Sequence, residues 1–159
     1  MADVPQFALE TLEQVRAAGI EQLLERHWQE VAFYKDIPLE PDWELYQVTE
    51  SIGRLRIFTA RIRGELVGYA AFLLNRNPHY KSSWQASQDV LFVAPEHRNG
   101  RIGAHLILFA ERRLRMEKPP VQVTYQHSKA SEELDIGPLL DRLGYELVDS
   151  IWAKRLDRS

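Results

Sequence analysis

Between Leu12 and Tyr34 the apolar residues Val15, Leu24, Trp28 and Val31 recur near helical spacing among Glu, Gln and Arg, which predicts an amphipathic helix that Gly19 can divide in two. Thr11 with Gln14 has the form of a capping box, and Gln6 to Glu10 reads as a short strand before it. Ile37-Pro38 is a stop signal. A second helix is predicted from Pro41 to Ile52, with Asp42 and Glu44 at its positive end and Gly53 closing it. Leu55 to Ile62 alternates and is rich in Ile, Phe and Thr, Arg63-Gly64 is a tight-turn signal, and Leu66 to Leu74 is apolar on both faces, so a hairpin leads into a central strand. Arg76 to Ser83 reads as a polar loop. The next strand, Trp84 to Val93, is polar in its first half and apolar in its second, so one end is expected to open onto a wet cleft.

The clearest helix runs from Gly103 to Lys118: Gly103, Leu106, Ile107, Ala110 and Leu114 share one face, Arg112, Arg113 and Arg115 oppose it, and Pro119-Pro120 ends it. Val121 to Gln126 alternates as a strand, Ile136 to Leu143 forms a short helix before Gly144, and Tyr145 to Arg155 supplies one bent strand or two short ones. This order predicts a mixed α/β (α+β) fold in three layers, a mixed and mostly antiparallel central sheet with helices on both faces. No internal repeat or linker interrupts it, and with 159 residues the chain is too short for two ordinary domains, so residues 1–159 are expected to form a single domain.

Composition narrows the function classes. The longest apolar run, Val67 to Leu74, falls far short of the roughly 20 residues that span a bilayer, and Asp3, Pro5 and Glu10 stand where a signal peptide would be basic and then apolar. No membrane partner and a cytoplasmic location are expected. The absence of cysteine excludes disulfides, thiolate metal sites and an acyl-cysteine mechanism, and the five histidines show no ligand spacing, so no metal is expected. The net charge of −3 conceals segregation: residues 1–50 hold three basic and eleven acidic side chains (−8), residues 51–118 twelve and five (+7), and residues 119–159 five and seven (−2). A basic middle segment in an acidic chain suits a locally bound anion better than nucleic acid. Arg54, Arg56, Arg61 and Arg63 around Phe58 fall on both faces of one short strand and form no single nucleic-acid surface.

The stretch Leu91-Phe-Val-Ala-Pro-Glu-His-Arg-Asn-Gly-Arg-Ile-Gly-Ala104 runs strand, turn, helix. Backbone N–H groups at a helix start lack intrahelical partners and carry the positive end of the dipole; Gly100 and Gly103 let an anion approach them, and Arg98 and Arg101 add charge. The pattern is that of a pyrophosphate cradle. It fits neither G-x-x-x-x-G-K-S/T nor G-x-G-x-x-G in a parallel βαβ unit, which argues against nucleoside-triphosphate hydrolysis and dinucleotide binding.

V-A-P-E-H-R-N-G-R-I-G-A-H-L resembles motif A of the GNAT superfamily of N-acetyltransferases, in which V-x-P-x-x-R leads into a Q/R-x-x-G-x-G/A loop. Leu140-Asp-Arg-Leu-Gly-Tyr145 resembles that family's closing helix and Gly-Phe/Tyr step, and Trp152-Ala-Lys154 its final strand. The likeness is strong over residues 84–118 and weak before residue 54. There are three departures: Arg101 stands where the family usually has its first loop glycine, as in some GNAT-like sequences of bacteriophages; Leu140 replaces a frequent tyrosine; and His127-Ser128-Lys129 lies where an asparagine is common.

The resemblance implies acetyl-CoA as donor and co-substrate, a primary amine of a small molecule or protein as acceptor, and direct attack in a ternary complex. A homodimer is a further family-level expectation. It assigns Arg98, Asn99, Gly100, Arg101, Ile102, Gly103 and Ala104 to the pyrophosphate and the main chain of Leu91, Phe92 and Val93 to the pantetheine arm, where one N–H can stabilise an oxyanion. For the base, Asp89 on the polar half of its strand comes first and Glu96 second; for the acid, Tyr125 precedes His127. A hydrated or paired strand-end carboxylate, and a tyrosine packed on a sheet, have the same sequence pattern. Acceptor specificity would lie in the first two helices and the Arg76–Ser83 loop, with the acidic segment favouring a cationic amine and Trp43, Tyr46, Tyr80 and Trp84 as an apolar wall. The alternative is a non-catalytic acyl-CoA-binding module with the same fold, for which Leu140 is the best argument.

Overall fold

A computed structural model of the chain describes residues 4–98 and 100–158. The elements in order are β1 (Gln6–Glu10), α1 (Leu12–Ala17), α2 (Ile20–Val31), α3 (Trp43–Ser51), β2 (Leu55–Ile62), β3 (Glu65–Asn77), β4 (Tyr80–Val93), α4 (Ile102–Arg115), β5 (Val123–Tyr125) and α5 (Gly137–Arg142), with a single 3-10 turn at Pro95–His97. One sheet has the order β1-β2-β3-β4-β5. Its first four strands are antiparallel, and β5 joins β4 in parallel.

Local sequence chemistry sets most of the boundaries. Both arms of the Thr11/Gln14 capping box form, at 2.8 and 3.2 Å, and open α1. Gly19 takes a left-handed conformation at φ 83° that ends the first helical run and starts the second. Asp42 accepts from the Leu45 N–H at 2.8 Å and caps α3. Arg63 and Gly64, at φ 51° and 84°, connect β2 to β3 with Ile62 opposite Glu65, the positive-φ pair that matches the twist of a two-residue hairpin.

Side-chain alternation along β3 then builds two cores. Tyr69 and Ala71 face α1, α2 and α3 with Leu12, Val15, Ile20 and Leu23, whereas Ala70, Phe72 and Leu74 face α4 with Leu106, Ala110 and Leu114. Two ion pairs stitch the periphery: Arg61 to Glu10 at 2.9 Å between β2 and β1, and Arg56 to Glu117 at 2.6 Å between β2 and the end of α4.

Two expectations are corrected. Arg76–Ser83 is not a loop: β3 and β4 run on until Asn77 faces Tyr80, and the His79 N–H donates to Asn77 Oδ1 at 2.8 Å across the reversal. These strand ends project beyond both cores, so they carry polar residues without losing their pairing. Tyr145–Arg155 forms no strand. Leu147, Val148, Ile151 and Trp152 are exposed, and Arg155 reaches back to Asp36 at 2.7 Å and lies over the Tyr34 ring at 5.4 Å.

Gly68 brings β3 close to the apolar end of β4, where it faces Val93. A Cβ there would stand 3.0 Å from the Phe92 carbonyl oxygen and 3.2 Å from Val93 Cγ2. Gly68→Ala is therefore expected to destabilise the fold by ~1–3 kcal/mol through overpacking, read as a lower urea midpoint at unchanged slope.

Candidate functional site

β4 is hydrogen-bonded to β5 over only three residues, Gln85 to Ser87, opposite Val123 to Tyr125. Beyond Ser87 the two chains part, with the His127 N–H donating to Gln88 Oε1 at 3.0 Å at the point of separation. On the other edge of β4, Val90 pairs with Ala71 and Gln88 with Phe72, which leaves Asp89 as the extra residue of a β-bulge. Bulges bend a strand and re-aim a side chain. Here the bulge lies where the sheet opens.

The opening is a cleft of about 980 Å³. One wall is β4 from Gln88 to Val93, and another is the start of α4 with Gly100, Arg101, Gly103 and Ala104. His27 and Glu30 of α2 contribute from one side, and His127, Ser128 and Lys129 from the other. Because the side chains of Leu91, Phe92 and Val93 are drawn into the cores on alternate faces, the strand meets the cleft along its backbone edge.

Among the described residues α4 has no side-chain cap, and the first N–H to bond within it is that of His105, to the Arg101 carbonyl at 2.9 Å. The N–H groups of Ile102, Gly103 and Ala104 thus have no partner among the described residues, the arrangement that suits a helix start to an anion. A Cβ at Gly100 would meet nothing within 4 Å, and one at Gly103 only Val93 Cγ2 at 3.9 Å, so the fold's own packing does not require glycine at either position. The open space fits a bulky anion lying on the helix start. Arg98 is braced beside it, with Nε donating to the Val93 carbonyl and Nη2 to Glu30 Oε2, both at 2.7 Å, and the guanidinium 5.3 Å over the Phe92 ring.

Asp89 lines this cleft and also a second cavity of about 510 Å³ between the sheet and α2 and α3. The Tyr46 hydroxyl donates to Asp89 Oδ2 at 2.6 Å and fixes the carboxylate. Burial, reinforced by that bond, pushes the Tyr46 phenol up, so it stays a donor. Deeper in the wall, His27 Nδ1 lies 3.1 Å from the Tyr69 hydroxyl, and the imidazole stacks on Phe92 at 4.9 Å. Burial, followed by the charges of Lys129 and Arg98, lowers His27 to about 4, so the ring is neutral near pH 7.

Among the sequence-selected cofactor residues, Leu91, Phe92, Val93, Arg98, Gly100, Arg101, Gly103 and Ala104 all line the cleft. Ile102 points inward at 8% exposure and packs with Ala60, Val67 and Val93; Asn99 lies outside the described residues. Glu96 is not at the cleft: both its oxygens accept from Arg26, at 3.1 and 2.6 Å, which holds its carboxyl at about 2. Tyr125 is on β5 opposite Ser87, outside the cleft lining, whereas His127 is within it. Trp43 and Tyr46 line the second cavity, but Tyr80 and Trp84 line a separate depression at the far hairpin end with Arg76 and Lys81. Sequence reasoning passed over His27 and Tyr69. His27 had a signal: it follows Ile20 and Leu23 on the buried face of α2, a polar residue in an apolar series.

Residues 20–121 match the model of the Acetyltransferase (GNAT) family. The chain belongs to the GNAT family. No curated protein sequence matches it significantly. Solved structures share the GNAT fold at low identity. A ribosomal-protein-alanine N-acetyltransferase from Brucella melitensis biovar Abortus 2308 superposes with TM-score 0.70 at 20% identity, covering 96% of this chain and 99% of that one. An aminoglycoside N-acetyltransferase in complex with CoA gives 0.68 at 17% over 98% and 96%. A transcriptional regulator from Bacillus halodurans C-125 gives 0.75 at 15% over 96% and 100%.

The buried histidine of this GNAT chain makes its stability sensitive to pH. The unfolded imidazole takes up a proton near 6.5 and the folded one only near 4, so the stability present above pH 6.5 is lost as pH falls through that window. Chemical denaturation between pH 7 and 4 should show a loss on the order of 3 kcal/mol in the parent that is absent from His27→Gln.

Proposed function

We propose that the protein is an acetyl-CoA-dependent N-acetyltransferase acting on a primary amine by direct attack in a ternary complex. The observation that carries this reading is the position of Asp89, a bulged residue whose carboxylate borders both the cleft of β4 and α4 and the cavity under α3. The cleft is suited to coenzyme A: a strand edge released from its neighbour can pair with an amide-bearing pantetheine arm, and the start of α4 with Arg98 and Arg101 can hold the pyrophosphate. When bound there, acetyl-CoA supplies an acetyl group activated as a thioester. The CoA complex of the aminoglycoside N-acetyltransferase neighbour supports the same ligand class for this chain.

Asp89 then accepts the proton that an ammonium must lose before its nitrogen can attack, and Tyr46 holds the carboxylate toward the amine. The absence of cysteine removes the usual nucleophile for a covalent acyl-enzyme, which favours direct transfer. His27, neutral and buried against Phe92, keeps a second positive charge away from the reacting amine.

Calorimetric titration with acetyl-CoA tests the donor half: the parent binds, and Gly103→Asp, which places a carboxylate where the phosphates would lie, loses at least ~30-fold in affinity with an unchanged melting temperature. For the acceptor half, Asp89→Asn should lower kcat/KM by roughly 10²–10³ at pH 7, the size of a lost general base, while acetyl-CoA affinity stays within ~3-fold. Failure of the parent to bind acetyl-CoA would overturn the reading.

A further inference from the structure

The cavity under α2 and α3 differs in kind from the cleft beside it. Trp28, Tyr34, Ile37, Trp43 and Ile57 make its walls. Two of the rings carry cations that are not among the cavity's lining residues, with Arg16 4.7 Å over Trp43 and Lys35 5.1 Å over Trp28. Much of the lining's hydrogen-bonding capacity is already committed. Asp42 Oδ1 accepts from Leu45, the Tyr46 hydroxyl is on Asp89 Oδ2, and the Tyr69 hydroxyl is on His27. What remains for a ligand is carboxylate oxygen, on Asp89 Oδ1 where the cavity meets the cleft, Asp42 Oδ2 and Glu40, together with the Tyr34 hydroxyl and the indole N–H groups of Trp28 and Trp43. The volume, about 510 Å³, lies within the roughly 300–1,000 Å³ of small-ligand sites.

We infer that this cavity selects a primary amine carried on an aromatic body, an arylalkylamine, with its ammonium on Asp89 and its ring between Trp28 and Trp43. The inference rests on the acetyltransferase reading and names the acceptor class that reading leaves open. A polyhydroxylated amino sugar would set many hydroxyls against walls that are mostly aromatic and aliphatic, with too few polar groups to replace their water, and an extended peptide would bring backbone N–H and C=O groups into the same apolar space. A flat ring meets neither difficulty and gains from burial against the indoles. Asp89 Oδ1, which the Tyr46 hydroxyl leaves open where cavity and cleft meet, sets the amine at the end nearest the proposed thioester.

The test measures CoA release from acetyl-CoA with 2-phenylethylamine, ethylamine, an aminoglycoside and an alanine-initiated peptide as acceptors. Quenching of tryptophan fluorescence by 2-phenylethylamine, with 2-phenylethanol as the neutral control, is followed in parallel. The expected result is a kcat/KM for 2-phenylethylamine roughly 10–100-fold above that for ethylamine, the worth of burying one aromatic ring, and above those for the other two acceptors. Trp43→Ala should collapse that preference ratio. Quenching should be saturable with the amine and at least ~10-fold weaker with the alcohol, since only the ammonium engages Asp89. A preference for the aminoglycoside or the peptide, a preference ratio unmoved by Trp43→Ala, or absence of amine-selective quenching while acetyl-CoA still binds would each overturn the inference and leave the donor assignment intact. Loss of acetyl-CoA binding by the parent would instead strike the underlying reading, and saturable quenching by the amine alone would still support the pocket's chemistry.

Discussion

A strand whose outer edge is paired for three residues and then released cannot continue straight, and the bulge at Asp89 is how β4 accommodates that change. The cleft proposed to take the ligand begins at this change. Before the bulge, β4 is an interior strand with β3 and β5 on either side; after it, β4 is an edge that faces a cleft. The two cores hold this geometry rigid. Phe72 and Ala86 pin the interior half against α4, and Phe92 pins the released half against the α1–α2 face. An unpaired edge normally invites aggregation. In this chain α2, α4 and the segment after β5 flank it and make it the wall of a cleft.

The electrostatic design is less simple than a basic segment meeting an anion. Arg98, the best-placed cation, already shares its charge with Glu30, and Arg26 spends its own on Glu96. Solvent-exposed pairs of this sort contribute little to stability. Their effect is positional: both connect α2 to the turn between β4 and α4, so the helix that lines both cavities is tied to the loop that leads into α4. The acidic start of the chain and the basic middle, read together, describe which segments touch. Glu10 with Arg61 and Glu30 with Arg98 are the same rule at two places.

Local signals were legible in the sequence wherever a single residue type decides the conformation. The Thr11/Gln14 box, the break at Gly19, the Arg63-Gly64 turn and the amphipathic α4 all belong to this class. The glycine–arginine loop was legible because its chemistry is contiguous. What escaped is relational. A bulge is a mismatch of one residue between two strands and has no signature in either alone. The Tyr46–Asp89 and His27–Tyr69 contacts join residues 43 and 42 positions apart, so their partners emerge only from the fold. The strand expected at Tyr145–Arg155 failed for a related reason: alternation is a necessary condition for a strand, and a partner edge is the sufficient one. Glu96 is relational in the same way, a carboxylate next to the motif that pairs with an arginine 70 positions earlier.

The two cavities share Asp89 and Val90 in their linings. Beside them Tyr69 borders the smaller cavity, His27 and Phe92 border the cleft, and the three rings lie in contact in a layer that carries no charge near neutral pH. Under the proposed function, coenzyme in the cleft would lower the effective dielectric around Asp89 and so strengthen the carboxylate's attraction for an ammonium in the neighbouring cavity. The coupling has a direction: the donor prepares the field that the cationic acceptor meets.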